Sequence, residues 1–242
     1  MQFSMKTDTG LVRASNEDSC TVGAFSDQYA WGIVCDGMGG ALAGEIASQT
    51  AVDFISARIK KAYRKDMTET SARYLLLSAI IASNIIIRED SQRNPEHHGM
   101  GTTIVAYIAL KNSLVCASVG DSRGYRLSKN GLEQITHDHS LVQELIDEGK
   151  LSHEEAERFP HRNIITRVLG TEEYVEIDFF TVPFQKNDLF MLCSDGLSNM
   201  VSKEDMLREL KSSDFDAIPG RLIDLANKNG GTDNISVVLI QK

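Results

Sequence analysis

Short apolar runs rich in valine, isoleucine and leucine recur along this chain, separated by polar segments that often contain glycine. Runs of this length and composition predict β-strands. Several of them follow one another with no regular helix in between, which favours antiparallel sheets with helices on their outer faces, an α+β protein. The predicted strands cover residues 29–35, 102–110, 113–119, 124–127, 175–182, 189–193 and 235–240.

Two longer segments repeat their core-facing positions every three or four residues, which predicts amphipathic helices. Asn94-Pro95 should end the second helix, because a residue before proline disfavours the helical conformation. Serines at positions 140, 152 and 202, each followed three residues later by Gln, Glu or Asp, predict three further helix starts. A last helix over residues 217–228 should end at Gly230-Gly231. The repeating positions are Ala47, Ala51, Ile55, Ile59 and Ala62 in the first segment and Leu76, Ile80, Ser83 and Ile87 in the second.

The composition is that of a globular domain. The chain has 242 residues, is 42% hydrophobic and carries a net charge of −9, with no internal repeat or linker-like segment. We therefore expect a single domain over residues 1–242, long enough to bury its own core. The negative charge disfavours nucleic acid and anionic membrane surfaces as partners. Because no apolar leader and no stretch approaching about 18 apolar residues stands out, we expect a cytoplasmic protein.

The four cysteines are scattered along the chain without C-x-x-C spacing. Cys35, Cys116 and Cys193 lie within apolar runs, whereas Cys20 does not. Free cysteine behaves as a small apolar residue in such runs. We therefore predict reduced core cysteines rather than a zinc site or a disulfide framework, as expected in a reducing compartment.

Acidic residues mark the ends of the predicted strands. Asp36, Asp121 and Asp195 each follow an apolar run, Asp233 precedes the last one, and glycine accompanies all four. One such aspartate is commonly part of a turn, but the strand ends of one sandwich can bring four carboxylates together. Converging carboxylates raise each other's pKa and call for a neutralising cation. Oxygen-only ligands predict a hard ion, Mg²⁺ or Mn²⁺.

A basic residue stands close to a further acidic pair near the start of the chain. Arg13 lies just before Glu17 and Asp18, ahead of the first strand. An arginine guanidinium suits the bidentate binding of a phosphate or carboxylate. Spacing alone leaves open whether Arg13 binds a phosphate or is a surface residue paired with Glu17 or Asp18.

Six motifs, in this order, resemble the metal-dependent protein serine/threonine phosphatases, also called type 2C, and in particular their bacterial members. The resemblance covers nearly the whole chain. It implies a four-layer αββα sandwich, with two central antiparallel sheets flanked by helices and metal ions at one edge between the sheets. It also implies that residues 136–170 form a mobile flap beside the active site. The motifs are D-x-G-x-x-R-x-x-N-E-D at 8–18, D-G-M-G-G at 36–40, G-M-G-T-T at 99–103, V-G-D-S-R at 119–123, S-D-G-L at 194–197 and G-G-T-D-N-I at 230–235.

The resemblance implies a set of metal ligands. Asp36 would bridge two ions, the Gly37 carbonyl would bind one of them, and Asp195 with Asp233 would complete the other. Asp121, together with Asp195, matches the site of a third ion in bacterial members. The implied cofactors are therefore two Mn²⁺ or Mg²⁺ ions, with a third at Asp121.

The resemblance also assigns residues around the ions. Glu17 and Asp18 would hold metal-bound water, and Arg13 would bind the substrate phosphate. Two divalent ions can activate a water for direct attack on phosphorus, so no covalent phosphoenzyme is needed. In keeping with this, none of the four cysteines has an arginine six positions later, as a cysteine nucleophile motif would require.

The general acid is where the chain departs from its relatives. Many relatives carry histidine at the position of Met38, and others carry one where this chain has Ala41. Neither position can donate a proton here, and water on a third ion near Asp121 is the preferred donor. The remaining histidines are expected at the surface or in the flap; they are His97, His98, His137, His139, His153 and His161.

These features predict hydrolysis of phosphoserine and phosphothreonine in proteins, reversing a cognate serine/threonine kinase, by a monomeric enzyme. Two alternatives stay open. A two-metal phosphatase could act on a small-molecule phosphate instead, because a metal site does not encode what surrounds the phosphate. A pseudophosphatase could keep the fold as a binding module, although it would be expected to lose Arg13, Asp36, Asp195 or Asp233, and this chain has all four.

Overall fold

The structure is a computed structural model that describes residues 1–39, 43–156, 159–160 and 163–242. Within these residues, the strands form two antiparallel sheets. The first sheet has β1 (Gln2–Asp8), β7 (Arg123–Ser128), β8 (Gly131–Gln134), β10 (Leu189–Cys193) and β11 (Ile235–Gln241), and the second has β2 (Asp18–Ser26), β3 (Tyr29–Met38), β4 (Gly101–Thr102), β5 (Ile104–Ala109), β6 (Ser113–Val119) and β9 (Asp178–Pro183). The strand orders are β1-β11-β10-β7-β8 and β2-β3-β5-β6-β9, with β4 paired to β3.

Helices cover the outer faces of both sheets. The second long helix ends at Asn94, which confirms its predicted end, and Thr68 caps its start. The serines at 140 and 202 accept hydrogen bonds from backbone N–H groups three residues on, which confirms these two predicted starts. The helices are α1 (Ala43–Ala62), α2 (Glu69–Arg93), α3 (Leu141–Asp147), α4 (His153–Ala156), α5 (Asp195–Ser198), α6 (Lys203–Leu210) and α7 (Ile218–Lys228).

Three apolar clusters fill the three interfaces between four layers. The first joins α1 and α2 to the outer face of the second sheet. The second joins α5, α6 and α7 to the outer face of the first sheet. The third lies between the sheets, where the rings of Tyr107 and Phe190 meet edge to face at 5.8 Å between centroids. Cys35, Cys116 and Cys193 are buried in these clusters as free thiols. The predicted αββα sandwich is therefore confirmed.

The strand boundaries differ from the predicted ones in three places. The run at 102–110 is broken at Thr103, because that residue turns its backbone and hydroxyl toward Asp36. The run at 175–182 becomes regular only at Asp178, where pairing with β6 begins. The predicted runs left out β1, β2 and β8. All three are edge strands, and Phe3 and Met5 of β1 stay about half exposed, so little apolar burial marks that strand.

By length and composition, α2 reaches what a membrane span requires, which the sequence pattern did not lead us to expect. Part of this helix faces the core between it, α1 and the second sheet. The core-facing residues are Ala72, Leu76, Ala79, Ile80 and Ile87. Core helices of globular proteins meet the same length and composition criterion, and α2 forms one layer of the sandwich.

Candidate metal centre

The acidic residues predicted at strand ends gather at one edge of the sandwich. Asp36 lies near the end of β3, and Asp18, at the start of β2, is its partner in the antiparallel register. Asp195 follows β10, and Asp233 stands two residues before β11. Removal from water raises the pKa of Asp36 well above its usual value, and the charges of Asp18, Asp195, Asp121 and Asp233 raise it further. The strand ends therefore converge as the sequence predicted.

Threonine side chains hold the backbone of Asp36 in place. The Asp36 N–H donates to Thr103 Oγ1 at 3.0 Å, and the Thr103 N–H donates to the Asp36 carbonyl oxygen at 2.9 Å. Thr102 Oγ1 donates to the same carbonyl oxygen at 3.0 Å. The break between β4 and β5 thus serves to anchor the residue at the centre of the acidic edge.

Glycine at position 37 allows three backbones to meet beside Asp36. A Cβ atom at Gly37 would lie 2.2 Å from the Gly44 carbonyl oxygen and 2.5 Å from the Glu17 carbonyl oxygen, closer than any real contact. The Gly37 N–H donates to that Glu17 oxygen at 3.2 Å. This packing brings Glu17, the end of β3 and the start of α1 together.

Asp18 is buried, with 6% of its surface exposed. Ser194 Oγ donates to Asp18 Oδ2 at 2.7 Å, whereas Oδ1 has no hydrogen-bond partner among the described residues. Burial raises the pKa of Asp18 to about 7, against hydrogen bonds from Ser194 and Ser236 that lower it. An orphaned oxygen on a buried carboxylate is costly unless another group binds it.

Asp121 shows the same pattern close to Asp195. Its Oδ1 atom is buried without a partner among the described residues. Burial and the charge of Asp195 raise its pKa to about 7. Asp121 and Asp195 line a cavity of about 540 Å³, which residues 142, 143, 146, 156 and 163 also line. Those residues belong to the segment predicted as the flap, of which residues 157, 158, 161 and 162 lie outside the described part of the chain.

Arg13 does not pair with Glu17 or Asp18, as the surface alternative would have it. Its Nη2 atom lies 2.8 Å from Asp233 Oδ2, with the guanidinium about half exposed. The hydrogen bond and charge of Asp233 raise the pKa of Arg13. Arg13 therefore lies at the acidic edge with one face of its guanidinium open to solvent.

The sequence reasoning missed Asn234, which fixes the segment that carries Arg13. Its Nδ2 group donates to the carbonyl oxygens of Thr9 and Ser15, both at 2.9 Å. Its Oδ1 atom accepts the Glu17 N–H at 2.8 Å. The buried side-chain carboxamide of Asn234, which follows Asp233, is thus hydrogen-bonded to residues on both sides of Arg13 and to the Glu17 N–H. The available signal was a short polar side chain directly after the aspartate in G-G-T-D-N.

Of the histidines with described contacts, His97 and His137 pair with other carboxylates and His139 lies next to Gly120, while Met38 is exposed at 39%. His97 is bound to Asp90, and His137 to Asp147, both at 2.7 Å. His139 is buried, and its Nδ1 atom accepts the N–H of Gly120 at 3.0 Å. Ala41, His161 and the side chain of His153 lie outside the described residues.

The donor set fits a hard divalent cation. It consists of carboxylate and carbonyl oxygens, the ligands that such a cation prefers. Asp18 and Asp121 each keep an oxygen without a partner among the described residues. The like charges of the neighbouring carboxylates raise the pKa of Asp36. Among the described residues, no three His, Cys, Asp or Glu side chains already form a closed cage. Arg13 pairs with Asp233. The carboxylate oxygens are gathered at one edge, where a divalent cation would offset their mutual repulsion.

Comparison with known proteins identifies relatives over the whole chain. Residues 12–235 match the family model of protein phosphatase 2C. The serine/threonine phosphatase stp of Listeria welshimeri is 42% identical over 244 residues, covering 100% of this chain and 96% of that protein. The serine/threonine protein phosphatase PstP of Mycobacterium tuberculosis is 39% identical over 241 residues, which span 99% of this chain and 44% of that longer protein.

Solved structures agree with this match. The serine/threonine phosphatase Stp1 of Staphylococcus aureus superimposes with a TM-score of 0.93 at 35% identity, covering 100% of this chain and 94% of that one. The catalytic domain of PstP in complex with two manganese ions gives a TM-score of 0.86 at 37% identity, covering 98% of this chain and 96% of that one.

Proposed function

The chain belongs to the protein phosphatase 2C family and is a metal-dependent protein serine/threonine phosphatase, and we propose that the acidic edge of the sandwich is its catalytic centre. One observation carries the assignment of the site. Asp18 and Asp121 are buried beside Asp36 and Asp195 with raised pKa values and orphaned oxygens, and this arrangement requires added positive charge.

In this proposal, Asp36 would bridge two Mn²⁺ or Mg²⁺ ions, the Gly37 carbonyl would bind one, and Asp195 and Asp233 would bind the other. Bound divalent ions would offset the charge of the phosphate and activate a water at neutral pH. Thr103 supports this role for Asp36, because it fixes the Asp36 backbone through two hydrogen bonds.

Arg13 is proposed to bind the substrate phosphate. Its guanidinium is about half exposed at the edge where the phosphate must enter. Positive charge arriving at Asp233 would compete with Arg13 for that carboxylate and free the guanidinium for phosphate oxygens. Glu17 and Asp18 are proposed to hold water around the ions, which suits the orphaned oxygen of Asp18.

Asp121 is proposed to serve proton delivery to the leaving group. Met38 cannot donate a proton, and His97 and His137 are bound to carboxylates of their own. Buried His139 is also engaged, through the Gly120 N–H and through Asp178. Asp121 lines the cavity together with residues of the segment 136–170, has an oxygen without a partner among the described residues, and could hold a third ion with Asp195. The segment 136–170 is accordingly proposed as the flap of a single domain over residues 1–242.

The substrates are phosphorylated proteins, and we infer that a cognate serine/threonine kinase supplies them. The relatives named serine/threonine phosphatase support this assignment. We further propose that the protein works as a monomer in the cytoplasm. Its net charge of −9 makes nucleic acid and anionic membranes poor partners.

Metal removal tests the proposal directly. A phosphothreonine peptide should be hydrolysed in Mn²⁺, hydrolysis should stop in excess EDTA, and added Mn²⁺ or Mg²⁺ should restore it. Full activity in excess chelator would overturn the two-metal assignment. Hydrolysis of para-nitrophenyl phosphate without any hydrolysis of phosphopeptides or phosphoproteins would instead favour a small-molecule phosphatase.

A further inference from the structure

A groove of about 420 Å³ lies beside the acidic edge and shares no lining residue with the cavity at Asp121. Met38, two residues after Asp36, lines this cavity with an apolar side chain that is 39% exposed. Tyr174, 84% exposed, lines it as well. The other apolar lining residues are Ile165, Val168 and Val175. Isolated exposed apolar residues are common on protein surfaces, but several around one cavity mark a site of contact.

The wall of this groove is hydrogen-bonded to the strand pair that carries Asp36. Met38 pairs with Gly101 in the β3–β4 register. The next residue, Thr102, exchanges two backbone hydrogen bonds with Leu169, at 3.1 and 2.8 Å. Backbone hydrogen bonds therefore join one wall of the groove to the strands of the catalytic edge.

Negative charge exceeds positive charge among the side chains at the groove. Arg167 lies 3.2 Å from Glu176 and 3.4 Å from Asp178, so two carboxylates already neutralise it. Glu172 adds a further negative charge to the lining. An acidic side chain in the groove would meet repulsion, whereas an apolar side chain would cover Met38 and Tyr174.

We propose that this groove receives an apolar side chain of the substrate protein next to the phosphorylated residue, so that Met38 and Tyr174 determine sequence specificity. This inference rests on the proposed function, because it takes the phosphate to lie at Asp36. A neighbouring substrate residue is displaced from the phosphorylated one by about 3.5 Å along an extended chain. Met38 follows Asp36 by two residues on the same strand, which is roughly 7 Å, and lines the groove, so a side chain next to the phosphorylated residue can reach it.

Phosphothreonine peptides that differ at one neighbouring position test the proposal. In Mn²⁺, kcat/KM should be about tenfold higher for leucine than for serine on one side of the phosphothreonine, since partial burial of an apolar side chain has this order of effect. Aspartate at the same position should be worse than serine. The variants Met38→Ser and Tyr174→Ala should each reduce the ratio of leucine to serine below about threefold. Tyr174 is exposed, so its replacement should leave the fold intact.

The matched control is Tyr74→Ala, which removes an exposed tyrosine from α2, outside the groove. This variant should keep the full preference for leucine. Equal kcat/KM values for all peptides, on both sides of the phosphothreonine, would overturn the role of the groove in substrate specificity but not the proposed function. A preference for leucine that survives Met38→Ser and Tyr174→Ala would do the same. Turnover of para-nitrophenyl phosphate with no turnover of any phosphopeptide would overturn the proposed function and the groove with it.

Discussion

The two ends of strand β10 carry aspartates in opposite environments. At its start, Asp188 is 5% exposed and lies 2.8 Å from Arg126 Nη2 on the neighbouring strand. The backbone N–H of Gln185 donates to the same Asp188 oxygen at 2.9 Å. At the other end, Asp195 faces other carboxylates, and its pKa is raised by removal from water and by the charge of Asp233.

This difference separates a structural carboxylate from a proposed metal ligand. Asp188 has a cation and hydrogen bonds supplied by its own fold, so its charge is satisfied where it stands. At the acidic edge, Asp18 and Asp121 each keep an oxygen that has no partner in the described part of the chain. Burial alone does not identify a site. The identity of the neighbours does.

The largest expected effect is the loss of activity when Asp36 is replaced, and a matched substitution at Asp188 provides the comparison. Asp36→Asn should lower kcat in Mn²⁺ by more than the roughly 10- to 100-fold typical of losing an outer partner of a metal site, because it removes the proposed bridging ligand. In EDTA at pH 8 it should raise the melting temperature, because one repelled charge is gone. Kinetics and thermal melts would measure both.

Asp188→Asn should show the reverse behaviour. It leaves Arg126, which is 14% exposed, without its closest countercharge and should cost about 3 kcal/mol of stability. At temperatures where the variant is folded, kcat should stay within about twofold of the wild type, as expected for a site remote from the chemistry. Equal Mn²⁺ binding by wild type and Asp36→Asn in calorimetry would contradict the bridging role.

Local sequence signals predicted the parts of the fold that depend on neighbours in the chain. Apolar runs located β6 and β10, and the residue before Pro95 marked the end of α2. The aspartates at strand ends were predicted to converge because a sandwich brings its strand ends to common edges. The position of the acidic edge within the fold was therefore predictable.

The partners within that edge were not predictable, since they depend on contacts distant in sequence. Arg13 pairs with Asp233, 220 residues away, rather than with the nearby acidic residues. Asn234 reaches Thr9 and Ser15 across more than 200 residues. Edge strand β1 gains its order from pairing with β11, which no local pattern encodes.

The next effect distinguishes proton delivery from a turn-forming role at Asp121. Asp121→Ala should lower kcat on a phosphoserine peptide about a hundredfold, the scale of general acid catalysis, and should affect para-nitrophenyl phosphate far less. A serine alkoxide needs a proton to leave, whereas nitrophenolate does not. The two kcat ratios, measured at saturating Mn²⁺ on folded protein, decide the matter, and equal losses would remove Asp121 from proton delivery.

A smaller effect tests Asn234, the contact that ties Arg13 to the acidic edge. Asn234→Ala should lower kcat/KM about tenfold, mainly through KM, because the Arg13 segment loses three hydrogen bonds. Adding Arg13→Ala to this variant should cost little more, since both changes remove the same interaction with phosphate. Asn229→Ala is the control: its side chain donates to the Met200 carbonyl oxygen, away from the Arg13 segment. Additive losses in the double variant would show that Asn234 acts independently of Arg13.

The smallest effect is a pH dependence of stability confined to the acidic end of β10. The folded chain holds the pKa of Asp18 and Asp121 at about 7, above the ordinary 3.8. Between pH about 4 and pH about 7, the folded protein keeps protons on these two groups that the unfolded chain releases. Their contribution to stability is therefore most favourable below pH about 4 and is lost as the pH rises toward 7. In EDTA, the melting temperature should therefore fall by several degrees between pH 5 and pH 7.5. Mn²⁺ should stabilise the protein more at pH 7.5 than at pH 5, because it displaces these protons. The double variant Asp18→Asn, Asp121→Asn should flatten the fall in EDTA, whereas a fall of unchanged size would place its origin outside the acidic edge.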